Sequence, residues 1–170
     1  MKPESYERIN MIGVGDTAPD FTAPLADGDI VPCTLSNRLD EAPIVLAFFP
    51  GAFTSVCTTE LCTFEKRLSV YEGIGSTVYG VSVDTPFSLN TWREEEHLSL
   101  GLVSDHDKEI IDAYGVRDDF ADIGYYGLAK RAIFVVDEDQ TVTYRWVAEN
   151  PGQEPDYEAV EDATRAAARA

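Results

Sequence analysis

A continuous apolar run, "PIVLAFF" at residues 43–49, restricts the possible folds more than any other part of the sequence. A strand that is apolar on both faces is typical of the interior of a parallel sheet with helices on both sides. A helix-patterned segment follows from about Thr54 to Tyr71, with apolar side chains at spacings of three and four. A buried strand that leads into an amphipathic helix predicts an α/β protein.

The rest of the chain repeats this alternation. "STVYGVSVD" predicts a buried strand before a helix at Pro86, and "GLVSD" a short strand before a helix that Gly115 ends. "RAIFVVDEDQTVTYRWV" predicts a hairpin, and the Ala-rich tail from about Pro155 a final surface helix. "IVPCTL" predicts an early strand, whereas "GVGDTAPDFTAPLADGD" is turn-rich and the stretch after Gly115 irregular. We therefore expect a single domain over residues 1–170, with a mixed central sheet flanked by helices.

The charge of the chain argues against several classes of partner. Asp and Glu total 31 against 13 Lys and Arg, which gives a formal net charge of −18. Because such a surface repels phosphate groups, we expect neither a nucleic-acid nor a membrane partner. No apolar run approaches the roughly 18 residues of a membrane span, and "MKPESYERIN" lacks the apolar stretch of a signal peptide. We expect a cytoplasmic protein, in a compartment that keeps thiols reduced.

The composition also carries a hypothesis about salt. Only four of the basic residues are lysine. An acid-rich, lysine-poor composition resembles that of proteins from salt-loving organisms, in which concentrated salt screens the self-repulsion of the surface. Halophilic adaptation is therefore our compositional hypothesis.

The segment "FFPGAFTSVCTTELC", residues 48–62, contains the residues best suited to chemistry. Cys57 falls in the first turns of the predicted helix, where unpaired N–H groups and the helix dipole stabilise a thiolate. Pro50 can turn the chain out of the strand, and Thr54 lies three residues before Cys57, so that hydroxyl and sulfur can share a face. This combination suits a small polar electrophile. The alternative is a buried apolar cysteine with an ordinary cap and turn.

The order and spacing of these residues resemble a known family. "PGAFTSVC" fits the P-x-x-x-T-x-x-C signature of peroxiredoxins, AhpC/TSA-type thiol peroxidases with a thioredoxin-like fold. "VGDTAPDFTAPLADG", "LVSDHDKEIIDAYGV" and "RAIFVVDEDQTVTY" resemble three further blocks of the family in the same order. The resemblance covers most of the chain and implies an enzyme that reduces hydroperoxides without haem, flavin or metal.

The resemblance also implies a role for each matched position in the segment. Cys57 would be the peroxidatic cysteine, which attacks one peroxide oxygen and becomes a sulfenic acid. Thr54 would hydrogen-bond the bound peroxide, and Pro50 would shield the pocket. The N–H groups of Val56 and Cys57 would complete the set of donors.

Two charged residues are implicated in the same way. Arg131, which opens "RAIFVVD", would stabilise the thiolate and the transition state. Glu60, three residues after Cys57, matches a position that often orients this arginine. Taken without the resemblance, Arg131 is a surface charge at a strand end and Glu60 a solvated helix charge.

The second cysteine of the segment, Cys62, lies five residues after Cys57. On a regular helix this spacing places the Cα atoms roughly 8–9 Å apart with diverging side chains, whereas a disulfide needs about 4.4–6.8 Å. If Cys62 resolves a sulfenic acid on Cys57, the first turns of the helix must unwind in each cycle.

The resemblance leaves two interpretations of Cys62. Its spacing is similar to that of the bacterioferritin-comigratory, Q-type subgroup, which implies an intramolecular disulfide and a thioredoxin-like reductant. "FFPGAFTSVC" is instead similar to the AhpE-like and five-type subgroups. An AhpE-like cycle would use one cysteine and an external thiol, with Cys62 as a spectator. The first resemblance implies a monomer and the second a homodimer.

Other residues and functions complete the expectations. Cys33 has no motif around it and is expected to be a buried strand cysteine, while His97 and His106 lack ligand spacing, so that no metal site is expected. Two rival functions stay open. A thiol–disulfide oxidoreductase is disfavoured by the absence of C-x-x-C, and a non-catalytic redox sensor would use Cys57 only as a switch. The preferred peroxide and the physiological reductant are not specified by the sequence.

Overall fold

The computed structural model describes residues 12–169. The N-terminal decapeptide, whose sequence predicts no signal peptide, lies outside this range. The strands are β1 (Thr22–Asp27), β2 (Asp29–Thr34), β3 (Ile44–Phe48), β4 (Thr77–Ser82), β5 (Gly101–Ser104), β6 (Arg117–Phe120), β7 (Tyr125–Ala129), β8 (Ala132–Val136) and β9 (Val142–Val147). The α-helices are α1 (Ser55–Lys66), α2 (Leu68–Ile74), α3 (Pro86–Glu95), α4 (Glu109–Tyr114) and α5 (Tyr157–Ala168).

Seven strands form one mixed sheet in the order β2-β1-β5-β4-β3-β8-β9. β4 runs parallel to both β3 and β5, and the other neighbours are antiparallel. β6 and β7 form a separate two-stranded ribbon. The predicted α/β architecture with a mixed central sheet is confirmed.

β3 lies inside the sheet, and all five of its residues are buried, as the apolar run predicts. Successive side chains of a strand point to opposite faces, so β3 contributes to two cores. Ile44, Leu46 and Phe48 belong to a cluster that also contains Cys33. Val45 and Ala47 belong to the cluster on the other face, which contains Cys57, Leu61, Phe64 and Trp92.

The prediction of one continuous helix from Thr54 to Tyr71 is wrong, because two helices, α1 and α2, occupy this segment. Arg67 separates α1 from α2 and has φ −98° and ψ 4°, outside regular helix. Its N–H is shared between the carbonyls of Thr63 and Phe64, at 3.2 and 3.1 Å. The Arg67 guanidinium donates to Glu161 of α5 at 2.8 Å, so a contact between distant elements accompanies the break.

Two strand regions were not expected. β1 lies in the turn-rich segment and pairs antiparallel with both β2 and β5, so that its extended form depends on neighbours rather than on its own composition. β6 and β7 lie in the stretch predicted to be irregular. Other predicted boundaries are close to the observed ones: α3 begins at Pro86, and Gly115, with φ 70°, ends α4.

None of the helices in the described range combines the length and the apolar character that crossing a bilayer requires.

The final helix, α5, packs against α2, β8 and β9. Its buried side is formed by Val160, Glu161, Thr164 and Ala167.

Candidate active site

Cys57 is the third residue of α1, which follows the carboxyl end of β3. The connecting loop includes Phe53 in the left-handed region, with φ 64°. Asp84, just beyond β4, fixes this loop because its Oδ2 accepts from the N–H of Ala52 at 2.9 Å and from the hydroxyl of Ser82 at 2.6 Å. The neighbouring parallel strand thus sets the position of the helix start.

The first turn of α1 leaves backbone donors available. Thr54 is the N-cap residue, but its hydroxyl donates to the carbonyl of Gly51 at 2.8 Å and does not cap the helix. The first helical hydrogen bond runs from the N–H of Thr58 to the carbonyl of Thr54 at 2.9 Å. Helix geometry therefore leaves the N–H groups of Val56 and Cys57 without intrahelical acceptors, at the positive end of the helix dipole.

Three ionisable groups meet behind this helix start. Nη2 of Arg131 donates to Sγ of Cys57 at 3.3 Å, and Nη1 donates to Oε1 of Glu60 at 3.2 Å. The relative exposures of Cys57, Glu60 and Arg131 are 1%, 0% and 2%. Arg131 is therefore not a surface charge, and Glu60 is not solvated.

The guanidinium of Arg131 is held on its other side by backbone. Nε and Nη2 both donate to the carbonyl of Pro151, at 3.2 and 2.8 Å. The planar guanidinium thus has a fixed orientation between the loop after β9 and α1. Burial raises the pKa of Glu60 to about 8, against the opposing effect of the Arg131 charge.

Cys57 lines a cavity of about 210 Å³. A cavity of this size can hold a small molecule, which polar groups of the lining can orient. It is lined by Pro50, Thr54, Ser55, Val56, Cys57, Phe120, Arg131, Pro151 and Gly152.

Five of the seven site residues predicted from the sequence line this cavity, and two do not. Glu60 lies behind Arg131 and contacts the cavity only through it. Cys62 is half-buried, and its thiol donates to Oε2 of Glu96 at 3.8 Å. Burial, followed by the Glu96 carboxylate, raises the pKa of the Cys62 thiol.

The other candidates lie apart from the cavity. Cys33 is buried in β2 as predicted, on the opposite face of the sheet from Cys57. His97 and His106 are exposed. Among residues 12–169, no group of three or more His, Cys, Asp or Glu side chains is arranged to hold a metal ion.

Five residues of the site were missed by sequence reasoning. One is Ser55, which follows Thr54 in the chain and also lines the cavity. Phe120 of β6 and the pair Pro151 and Gly152 line the cavity from distant parts of the chain, and Asp84 supports the loop. Nothing in the local sequence of Phe120, Pro151 and Gly152 marks them as residues of a site. For Asp84, "VDTP" at residues 83–86 is a usable signal, because a polar group beyond the carboxyl end of a buried strand often lies near a site.

Comparison with known proteins identifies the family. The profile described as the AhpC/TSA family matches residues 14–145. The chain belongs to this family, the peroxiredoxins. The predicted family and the predicted enzyme class, a peroxidase, are confirmed.

Two sequence relatives illustrate the similarity. A chloroplastic 2-cysteine peroxiredoxin of Chattonella marina var. antiqua is 37% identical over 144 residues, which span 80% of this chain and 71% of that protein. The chloroplastic 2-Cys peroxiredoxin BAS1 of Hordeum vulgare is 34% identical over 139 residues, or 77% of this chain. The chain spans 64% of the barley protein, less than two thirds of its length.

A solved structure supports the fold of this peroxiredoxin. Peroxidoxin BcpB of Mycobacterium tuberculosis superposes with a TM-score of 0.77 at 28% identity, over 93% of this chain and 97% of that one. The predicted thioredoxin-like fold is confirmed.

Proposed function

We propose that this peroxiredoxin reduces hydroperoxides by attack of the Cys57 thiolate on one peroxide oxygen. The observation that supports the proposal best is the position of Cys57, which lines the cavity at a helix N-terminus with its Sγ 3.3 Å from Nη2 of Arg131. The guanidinium and the positive end of the helix dipole both lie beside this sulfur, and the nucleophile in such an attack is the thiolate. The S–O bond forms as the O–O bond breaks, and Cys57 becomes a sulfenic acid.

Donors around the sulfur would stabilise the oxygen that leaves. The N–H groups of Val56 and Cys57 and the guanidinium of Arg131 surround the place where negative charge develops. The hydroxyl of Thr54, which donates to Gly51 in the free protein, would turn to the bound peroxide. Pro50 is buried beside the helix start and would exclude water from one side.

The finer proposal is that Cys62 resolves the sulfenic acid. Its thiol would attack the sulfur of Cys57, forming a disulfide and releasing water, after the start of α1 unwinds. Cys33 is a poor alternative because the central sheet separates it from Cys57. A thioredoxin-like dithiol would then reduce the disulfide by exchange.

A one-cysteine cycle is the second candidate. Its support is that Cys62 lies on an intact helix, half-buried and hydrogen-bonded to Glu96. An external thiol would then attack the sulfenic acid directly through the open side of the cavity.

The remaining parts of the proposal concern the setting of the enzyme. Three free cysteines suit a reducing compartment such as the cytoplasm. The net charge of −18 argues against nucleic-acid partners. A single domain over residues 1–170, assembled as a monomer or a homodimer, stays a prediction.

Turnover with hydrogen peroxide separates these possibilities. We expect Cys57→Ser to abolish activity with any reductant, and Cys62→Ser to abolish activity with thioredoxin while activity with a small dithiol persists. Cys33→Ser is the matched control and should behave as wild type. Full thioredoxin-linked turnover by Cys62→Ser would favour the one-cysteine cycle, and a single stoichiometric oxidation of the wild type would indicate a sensor.

A further inference from the structure

One buried cation serves two acidic groups at the candidate site. The guanidinium of Arg131 contacts Sγ of Cys57 and Oε1 of Glu60 at 3.3 and 3.2 Å. All three side chains are almost fully buried. Oε2 of Glu60 is also buried and has no hydrogen-bond partner among the described residues. When a carboxylate is buried away from water, both of its oxygens normally accept hydrogen bonds.

This arrangement compensates one negative charge, not two. If the Cys57 thiolate and the Glu60 carboxylate were both present, a net negative charge would be buried, at a large desolvation cost. The two acidic groups therefore compete for one counter-charge, the guanidinium of Arg131.

The other polar groups that face Glu60 do not supply a second positive charge. Glu154, in the loop before α5, disfavours ionisation of Glu60. Tyr157 of α5 is neutral at physiological pH, and its hydroxyl donates to Oε1 of Glu154 at 2.6 Å. Burial raises the pKa of Glu60 to about 8, in the same direction as the charge argument.

We propose that Glu60 stores a proton whose release is coupled to oxidation of Cys57. Glu60 is protonated while Cys57 is a thiolate, and it ionises to pair with Arg131 once Cys57 is an uncharged sulfenic acid. Glu60 acts through Arg131 and does not touch the peroxide, so it is a positioning residue. The inference rests on the proposed peroxidase function.

The step balances in atoms and charge. The thiolate of Cys57, a hydroperoxide ROOH and protonated Glu60 give the sulfenic acid, ROH and the Glu60 carboxylate. Sulfur loses two electrons to the peroxide as the S–O bond forms and the O–O bond breaks. The proton lost by Glu60 is balanced by the one gained by the leaving oxygen, so that the solution supplies none. When a thiol regenerates the Cys57 thiolate, Glu60 takes up a proton again.

Proton counting during one oxidation tests this coupling. All proteins carry Cys62→Ser so that the reaction stops at the sulfenic acid, and a pH-indicator dye reports protons in weakly buffered solution at about pH 7 after addition of hydrogen peroxide. We expect no proton uptake by the parent. Glu60→Gln keeps the shape but cannot release a proton, and we expect uptake of about one proton per Cys57 oxidised.

Glu161→Gln is the matched control, because Glu161 is a buried glutamate paired with Arg67 at 2.8 Å, away from Cys57. It should give the same proton count as the parent. Equal counts in the parent and in Glu60→Gln, or uptake of a proton by the parent, would overturn the inference.

A second readout does not depend on folding of the Glu60 variant. The infrared difference spectrum of the parent, oxidised minus reduced, should lose the carbonyl stretch of a protonated carboxyl group and gain carboxylate bands. An unchanged carboxyl region overturns the inference. Mass spectrometry of the same samples separates the two levels of the argument. Unmodified Cys57 overturns the peroxidase function together with the inference, whereas a sulfenic acid without carboxyl changes overturns the inference alone.

Discussion

The guanidinium of Arg131 donates to groups from two parts of the chain: Sγ of Cys57 and Oε1 of Glu60 in α1, and the carbonyl of Pro151 after β9. These contacts fix both the position and the plane of the cation beside the sulfur. At the scale of single residues, the reactivity of Cys57 therefore depends on a side chain that is distant in sequence.

Replacement of Arg131 should slow the first chemical step. Because a fixed donor beside developing charge contributes about 100- to 1,000-fold in rate, we expect Arg131→Ala to slow oxidation of Cys57 by that order. Arg131→Lys keeps the positive charge but loses the planar, forked guanidinium, and its oxidation rate should lie between those of the wild type and Arg131→Ala. Stopped-flow measurement against hydrogen peroxide gives the rates.

The control for this series is Arg117→Ala, which removes an exposed arginine paired with Asp112 on the surface. In this variant, Cys57 should be oxidised at the wild-type rate. A wild-type rate in Arg131→Ala, with the fold intact by circular dichroism, would remove Arg131 from the site.

The second cysteine should show a pH dependence of its own. Burial, followed by the carboxylate of Glu96, raises the pKa of Cys62, so little thiolate is present near neutrality. Disulfide formation should therefore accelerate as the pH rises towards that pKa. Glu96→Gln removes the negative charge, lowers the pKa of Cys62 and should move the rate profile to lower pH.

Rapid-quench mass spectrometry at a series of pH values measures this profile. Glu95→Gln is the matched control, because Glu95 is the exposed neighbour of Glu96 and changes the net charge equally. Identical profiles for the two variants would mean that the contact with Glu96 does not govern Cys62.

At the scale of elements, α1 has one anchored end and one reactive end. Glu65 accepts from the N–H groups of Ser99 and Leu100 at 2.9 and 3.3 Å, which ties the end of the helix to the loop before β5. The turns from Ser55 to Cys62 precede this anchor. Unwinding during disulfide formation should therefore be confined to the turns of α1 that precede Glu65.

A pair of substitutions at Thr59 tests this unwinding. Thr59 is exposed between the two cysteines, and glycine destabilises a helix interior by about 0.5–1 kcal/mol relative to alanine. We expect Thr59→Gly to form the Cys57–Cys62 disulfide about two- to fivefold faster than Thr59→Ala. Equal rates by rapid-quench mass spectrometry would indicate that unwinding does not limit the reaction.

The elements that the sequence predicts well are those with a strong local pattern. β3 is uniformly apolar, α3 begins at Pro86, and the β8–β9 hairpin surrounds a polar turn. β1 and the break at Arg67 were missed because strand pairing on both sides and an ion pair to α5 determine them. Such contacts between distant segments have no local signature.

At the scale of the whole molecule, the same distinction applies to the site. The part of the cavity formed by residues 50–57 is contiguous in sequence and was predicted from spacing and resemblance. Phe120, Pro151 and Gly152 were not, because only the folded chain brings them to Cys57. The burial of Glu60 behind Arg131 is likewise a property of the packed molecule, since its position three residues after Cys57 fits a solvated helix face equally well.

The net charge of −18 gives a prediction for the entire protein. Repulsion among the acidic groups destabilises the compact state at low ionic strength, and the Debye length falls from about 10 Å at 0.1 M salt to about 3 Å at 1 M. We expect the thermal unfolding midpoint to rise between dilute and molar potassium chloride. Equal midpoints under the two conditions would remove the halophilic hypothesis.

Peptide mapping by mass spectrometry, after one equivalent of hydrogen peroxide is added to the reduced protein, tests the central claim most directly. We predict loss of two hydrogens and a linked peptide that joins Cys57 to Cys62, with Cys33 still a free thiol. A lasting sulfenic acid on Cys57 would keep the peroxidatic cysteine but replace the two-cysteine cycle with a one-cysteine cycle. Recovery of Cys57 as an unmodified thiol would contradict the proposed function.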